Sequence, residues 1–474
     1  MYNKKNNQFL LGFMHKKDAQ ASIGVLIFLL FFIVIIFLSI SKTTQQLLPI
    51  IFLFVPFVII ITFTNTDAAL ILLIFSMLLS PELKLIDVPQ RAVVVRVDDI
   101  LLIVVFFSWL AKMAINKELG LLKNTPLNLP IAAYILIYIL STGIGIMAGN
   151  ISPVKSFFYI LKFIEFFMLF FMVVNNVRNK EQIKIFIAVL LITCAITSSY
   201  ALLTVGPFGR ATAPFEGVHG EPNTLGGYLV LLFAITSGIF LYSPSRIWRF
   251  CCGALACFIF ITLLQTLSRG SYLSFIPMYL TLVILTRKKK VLLMGILILG
   301  ILILPAMVPI RITERVTKTF IPGRVFEPFG RRITLDQSAA ARVYSWKRVL
   351  EQWTRRPVLG YGVTGVGLVD TQYPRVLGET GIIGFLIFIW LLTEIYRHSL
   401  YTFNNIEDEW LRGLTLGFLA GFVGLLIHSF AANTFIIVRI MEPFWFLAAV
   451  VIILPKLQEL YGTHQIGTTP DSSV

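Results

Sequence analysis

Fourteen stretches of this chain, at roughly 21–40, 47–63, 68–80, 99–114, 130–148, 157–175, 182–203, 225–242, 247–266, 271–286, 291–310, 378–396, 410–430 and 437–455, are apolar enough to cross, or nearly cross, a hydrocarbon layer about 30 Å thick. Inside that layer no water satisfies the backbone, so only helices and closed barrels can span it. The runs are continuously apolar rather than alternating, which selects helices. The expectation is an all-α integral membrane protein, a polytopic bundle of about 12–14 transmembrane helices with one large extracytoplasmic loop. The range is open because the run at 68–80 is short, and 47–80 reads equally as a broken or re-entrant pair. The run Ala21 to Ile40 is followed by no small-residue cleavage pattern and is read as the first spanning helix. Only 14% of the 474 residues are charged against 57% hydrophobic, which excludes an ordinary soluble domain.

The charged residues that remain give the orientation. With the amino terminus in the cytoplasm, the inner connections carry Lys4/Lys5/Lys16/Lys17, Lys112/Lys117/Lys123, Arg178/Lys180/Lys184, Arg246/Arg249, Arg287/Lys288/Lys289/Lys290, Arg397/Arg412 and Lys456. That alternation follows the positive-inside rule, most weakly at the turn around Asn65 and Asp67. The chain then divides into a cytoplasmic amino terminus (1–20), a transmembrane bundle (21–310), a large extracytoplasmic loop (311–377), carboxy-terminal transmembrane helices (378–457) and a cytoplasmic tail (458–474). The loop carries twelve Lys or Arg against five acids, and long translocated loops escape the charge rule. Its simplest use is to hold a phosphorylated lipid at the outer leaflet. The whole chain is +16, for which anionic lipid rather than nucleic acid is the expected partner. Within the loop, Val343, Trp346, Val349/Leu350 and Trp353 recur at helical spacing, so 339–354 is expected to be an amphipathic helix on the membrane or on the bundle, ended by Pro357.

Several polar islands interrupt the apolar runs, and most fall at predicted outer turns. Arg210 precedes PNTLGG, whose Pro, Asn223 and Thr start a helix with free N–H groups that can face a phosphate. Arg269, in SRGS, lies at the membrane surface, where arginine is costly unless solvated or paired; a phosphate is one such partner and ordinary snorkelling the alternative. Asp98 and Asp99 begin a helix and read as dipole-stabilised caps. His428, Asn433, Arg439 and Glu442 surround a turn between the last two spans, with Arg439 and Glu442 spaced for a mutual ion pair. GYGVTG at 360–365 matches the dinucleotide pattern GxGxxG, but no strand precedes it, so it reads as a turn that lets backbone approach a ligand. Cys194, Cys251, Cys252 and Cys257 lie in apolar runs without metal-site spacing, and no metal is expected.

The stretch VDTQYPRVLGETGIIGF at 369–385 concentrates Asp370, Tyr373, Arg375 and Glu379 where a polar loop runs straight into an apolar helix. These are groups able to hold a sugar or move a proton.

In order and spacing, SPELKL with PQRAVVVRVDDILL, NTPLNLP, KFIEFFMLFFMVVNN, Arg210 with PNTLGGYL, LSRGSYL, ARVYSWKRVLEQWTRRPVLGYGVTG, QYPRVLGETGIIGF and HSFAANTF with RIMEPFWF resemble the O-antigen ligase and O-antigen polymerase superfamily. The resemblance implies membrane glycosyltransferases that move glycan from a polyprenyl-pyrophosphate carrier at the outer face of the inner membrane. It further implies that Arg210, with Arg311 or Arg315 opening the large loop, neutralises the leaving group, while Asp370 orients or deprotonates the acceptor and Tyr373 and Arg375 help to position it. Ligases typically carry histidine at the place of Asp370, and aspartate is the weaker base at neutral pH, so either its surroundings raise its basicity or the acceptor differs.

The expected activity is therefore a polyprenyl-pyrophosphate-dependent glycosyltransferase of surface polysaccharide biosynthesis, in the cell inner membrane. Asp370, Arg210 and Arg315 are its catalytic candidates; Arg269, Arg311, Tyr373, Arg375, Glu379, Asn223 and Arg439 are its substrate-binding candidates. The expected partners are an undecaprenyl-pyrophosphate-linked oligosaccharide, an acceptor glycan or lipid, and membrane lipids, with no cofactor. The alternative is a lipid-linked oligosaccharide flippase or other polysaccharide transporter, which would place polar groups at mid-membrane depth and show internal repeats.

Overall fold

The computed structural model describes residues 56, 58–86, 93–115, 123–206, 209–216, 220–307, 324–326, 333–335 and 337–466. The expected span at 21–40, most of that at 47–63, Arg311 and Arg315 lie outside them. The chain forms two compact units, residues 1–122 and 123–474.

In the first unit, α1 (Thr66–Leu79) is capped by the side chain of Asn65, which accepts from the N–H groups of Asp67 and Ala68 and so breaks the helix from the helical residues before it. A short antiparallel ladder, β1 (Glu82–Ile86) with β2 (Val93–Arg96), leads into α2 (Val97–Ile115). The Asp99 carboxylate accepts from the Arg96 N–H at 2.9 Å, and Asp98 takes the Arg96 guanidinium at 2.6 Å and the Ser80 hydroxyl at 2.6 Å. The two aspartates thus cap and brace the start of α2, as their position predicts.

The second unit is built from α3 (Asn128–Met147), α4 (Pro153–Asn176), α5 (Lys180–Thr204), α6 (Pro222–Tyr242), α7 (Arg246–Gln265), α8 (Arg269–Leu285), α9 (Lys290–Met307), α10 (Gln337–Trp353), α11 (Gln372–Asn405), α12 (Glu409–His428) and α13 (Val438–Ile466). A second small ladder pairs β3 (Arg324–Phe326) with β4 (Ile333–Leu335). Among the described residues eight helices are long and apolar enough to cross a membrane, and α1, α8 and part of α9 are shorter apolar helices. The protein is a polytopic helical membrane protein, and the four strands among the described residues amount to two small antiparallel ladders.

Within the second unit, α6 and α12 pack backbone to backbone. A Cβ on Gly238 would lie 2.2 Å from the Gly413 carbonyl oxygen, and one on Gly417 would lie 2.6 Å from that of Ala234, so the two backbones touch. Small residues allow this approach, which substitutes dispersion for the hydrophobic drive that lipid cannot supply. Around that pair an aromatic layer, with Tyr134 stacked on Phe388 and Phe435 edge-on to Phe444, ties α3, α11 and α13 together. Cys194 and Cys252 are buried, Cys251 and Cys257 exposed, and all four are free thiols.

Candidate functional site

The polar stretch at 369–385 is not simply the start of a helix. α11 begins at Gln372, runs for 34 residues and is broken at Gly381, whose φ of 67° and ψ of −167° are not helical. The break exposes backbone groups that a buried segment must satisfy, and residues 357–362 supply the partners. Tyr361 N–H donates to the Gly378 carbonyl at 3.0 Å and Gly362 N–H to that of Glu379 at 2.8 Å, while Ile382 N–H donates to the Pro357 carbonyl at 2.8 Å. From α3 the Ser141 hydroxyl donates to Glu379 O at 2.6 Å. The GYGVTG turn therefore approaches the protein's own backbone rather than a ligand: a Cβ on Gly360 would lie 2.5 Å from the Gly378 oxygen, and one on Gly362 would lie 2.9 Å from the Thr142 Cα.

One turn before the break, Arg375 Nε and Glu379 Oε1 form an ion pair at 3.0 Å, and the same oxygen accepts the Thr364 N–H at 2.9 Å. Arg375 also lies over the Tyr159 ring. Both charged side chains are buried, so they hold the re-entering segment to the GYGVTG turn and to α4.

Asp370 is placed differently. Its side chain is exposed, and among the described residues its carboxylate has no partner, yet the backbone around it is held on every side. The Val369 carbonyl accepts from the Asn433 amide, Trp346 Nε1 donates to the Thr371 hydroxyl at 2.6 Å, and Gln372 N–H donates to the Ser429 carbonyl at 3.0 Å. The Gln372 Oε1 in turn takes the Phe435 N–H. Beneath, Val369, Val366 and Val349 of α10 form a small apolar core, so α10 lies on this segment as its Val349 face requires. Tyr373 donates its hydroxyl to the Leu426 carbonyl at 2.7 Å, which ties it to α12.

The arginine-bearing turns adjoin this one. Arg210 donates through Nε to the Thr266 carbonyl at 3.0 Å and through an Nη to that of Leu267 at 3.2 Å, clamping the α7–α8 turn from which Arg269 starts α8. In that turn the Ser268 hydroxyl donates to Asn223 Oδ1 at the head of α6, Ser271 bonds Ser268, and the Ser271 hydroxyl meets His428 Nε2 at 3.4 Å. The other ring nitrogen of His428 meets the Thr434 hydroxyl at 2.8 Å. This chain, buried except at Asn223, joins α6, α8 and α12 and leads to Ser429, which receives Gln372. On its other flank Arg439, 3% exposed, donates to the Pro214 and Phe215 carbonyls at 2.6 and 3.1 Å, with Glu216 4.0 Å away. Glu216 also accepts from the N–H groups of Ala213 and Glu221, but burial outweighs these partners and pushes its carboxyl up to about 7.

The structure thus brings Arg210, Asn223, Arg269, Asp370, Tyr373, Arg375, Glu379 and Arg439 onto adjoining turns at one end of the bundle. Two sequence expectations change. The span expected at 378–396 is preceded by a further helical stretch from Gln372, and its apolar part begins after the break at Gly381. Arg439, placed by spacing against Glu442, also reaches over to the 213–216 turn. Sequence reading passed over Trp346 as a pattern residue and Phe430 altogether, since aromatics beside a polar turn look like any membrane-interface pair.

Residues 253–389, from within α7 to within α11, match the model of the O-antigen ligase family. No curated protein matches the chain. The matched stretch contains Arg269, the clamped Asp370 segment and the broken part of α11. The match covers less than a third of the chain; with the spans, it describes a multi-pass membrane protein similar over that stretch to the O-antigen ligases.

Proposed function

For a chain similar over this stretch to the O-antigen ligases, we propose transfer of a glycan from a polyprenyl-pyrophosphate carrier, undecaprenyl in bacteria, to a hydroxyl of an acceptor glycan or lipid, at the outer face of the inner membrane. The observation that carries the reading is Asp370: an exposed carboxylate without a partner among the described residues, on a segment held at Val369, Thr371 and Gln372, beside turns that carry Arg210 and Arg269. Such fixing is what orientation of a nucleophile requires.

The acceptor hydroxyl hydrogen-bonds Asp370, which orients it and takes its proton as the new bond forms between acceptor oxygen and anomeric carbon. The bond between that carbon and the phosphate oxygen breaks, and the departing pyrophosphate carries the electron pair. Arg269 faces the developing charge, with Arg210 shaping the turn that presents it and Arg311 and Arg315 as further candidates from the large loop. Arg375, Glu379, Tyr373 and Arg439 act through the segments they hold, and Asn223 through the Ser268–Ser271–His428 chain. Cleavage of the sugar–phosphate bond drives the reaction.

Purified protein in lipid nanodiscs, given carrier-linked repeat unit and acceptor, should yield a product whose reducing end is the acceptor, or a second repeat if the protein is a polymerase. Movement of the donor across liposomes with no new glycosidic bond would replace the enzyme by the flippase.

A further inference from the structure

Phe430 follows His428 and Ser429 at the end of α12, and 46% of it is exposed. Its ring is not loose. It lies 4.6 Å from the Tyr373 ring and 6.3 Å from the Trp346 ring, centre to centre. The polar ends of both neighbours are engaged, the Tyr373 hydroxyl with the Leu426 carbonyl and Trp346 Nε1 with the Thr371 hydroxyl. The three rings therefore form a fixed set. They come from α10, α11 and the turn after α12, and they meet beside the segment that presents Asp370: Trp346 bonds the residue after it, and the residue before Phe430 receives the N–H of Gln372.

A fixed aromatic surface next to an open carboxylate has the chemistry of a sugar subsite. One face of a pyranose carries mainly C–H groups, whose partial positive charge suits the negative face of an aromatic ring, while its edge carries the hydroxyls a carboxylate accepts from. A lipid chain would fit the ring but would leave the carboxylate without a partner.

We propose that Phe430, supported by Tyr373 and Trp346, is the platform on which a pyranose ring of the acceptor stacks, with its reacting hydroxyl directed to Asp370. This rests on the glycosyl-transfer reading above and extends it by assigning the residue that selects a sugar acceptor.

The test compares Phe430→Ala, Phe430→Leu and Phe430→Trp in full-length protein in nanodiscs, with acceptor titrated at saturating donor. Loss of stacking should raise the half-saturating acceptor concentration about tenfold in both Phe430→Ala and Phe430→Leu. The rate at saturating acceptor should stay within about twofold, and the donor requirement should be unchanged. Phe430→Trp should behave as wild type. Wild-type behaviour of Phe430→Leu would show that the site needs apolar bulk against lipid rather than a ring, and an equal loss at saturating acceptor would show a packing role; either overturns the platform. Binding is read separately, by magnetisation transfer from the protein to free oligosaccharide released from the host's surface polysaccharide. That signal should persist in Phe430→Trp and, in Phe430→Ala and Phe430→Leu, need about tenfold more oligosaccharide to reach half its maximum. The binding arm needs no donor, so a wild type that binds oligosaccharide through Phe430 but transfers nothing keeps the platform and refutes the transfer reading. Binding unchanged in Phe430→Ala refutes the platform alone.

Discussion

Arg375 and Glu379 stand one helical turn apart on α11 with 3.0 Å between Nε and Oε1, 8% and 1% of their side chains exposed. Glu379 Oε1 also takes the Thr364 N–H, while Oε2 is buried with no partner among the described residues. Such a pair is weak evidence of net stabilisation, because desolvating two charges offsets most of their attraction, but breaking it leaves one charge stranded. Glu379→Gln keeps the shape and strands Arg375, and should cost about 3–5 kcal/mol. Thermal unfolding in nanodiscs would show it as a marked fall in midpoint. Arg375→Met with Glu379→Leu should recover most of the loss, so additive effects would rule out a coupled pair.

Gly381 and Gly149 both have positive φ, 67° and 69°, but only one is crowded. A Cβ at Gly381 would stand 2.2 Å from the Val358 carbonyl oxygen, whereas at Gly149 nothing lies within 4 Å. Gly149→Ala should therefore cost only the left-handed backbone penalty, about 1–2 kcal/mol. Gly381→Ala must also separate α11 from the 357–362 segment, and should lose both stability and transfer. Comparable midpoints for the two variants would show that the break is not braced as described.

Stability should also depend on pH through Glu216. Burial raises its carboxyl to about 7, above the usual carboxylate range, so between pH 4.5 and about 7 the folded protein holds a proton that the unfolded chain releases. Stability then falls as pH rises through this window and levels off above it, the opposite of an ordinary ion-paired acid. Arg439 and Glu221 are the charged groups facing it, the first opposing the shift and the second adding to it. Glu216→Gln should flatten the thermal midpoint between pH 5 and 8 and exceed wild type at pH 8. A midpoint that still drops in the variant would assign the dependence elsewhere.

Arg210 reaches two carbonyls with two different nitrogens, a geometry that lysine cannot reproduce. Arg210→Lys should keep one contact and recover little transfer, and Arg210→Ala should abolish it with expression retained. Full activity in Arg210→Ala would leave the α7–α8 turn as scaffold only.

The bundle was legible in the sequence because a spanning helix must be both long and apolar, a constraint that leaves little freedom. The caps at Asp98 and Asp99 and the amphipathic 337–353 helix were legible for the same reason: each follows from local spacing. The break at Gly381 was not, since a glycine inside an apolar run has no local signature and the partners that allow the break lie about twenty residues upstream, at 357–362, overlapping GYGVTG. That motif was read as a ligand turn because its glycines announce close backbone approach without naming what approaches. Tyr373 and Phe430 meet from α11 and the turn after α12, and no periodicity encodes a contact between residues so far apart in sequence.

Asp370 gives the sharpest test of the proposed chemistry, because its neighbours are held while it is not. Asp370→Asn keeps size and removes charge and basicity, and should lower the transfer rate on the order of 10²-fold or more. The three contacts that hold its segment are made by Val369, Thr371 and Gln372 and not by Asp370, so the thermal midpoint should not move. Donor affinity should be little changed, since the arginine-bearing turns are untouched. Asp370→His should retain part of the activity if the role is to take a proton, because imidazole does so near neutral pH. It should retain little if a carboxylate is needed to accept hydrogen bonds from two sugar hydroxyls. Wild-type turnover in Asp370→Asn would remove the catalytic assignment, and the buried, already bonded Glu379 and His428 could replace it only after the segments around them had opened.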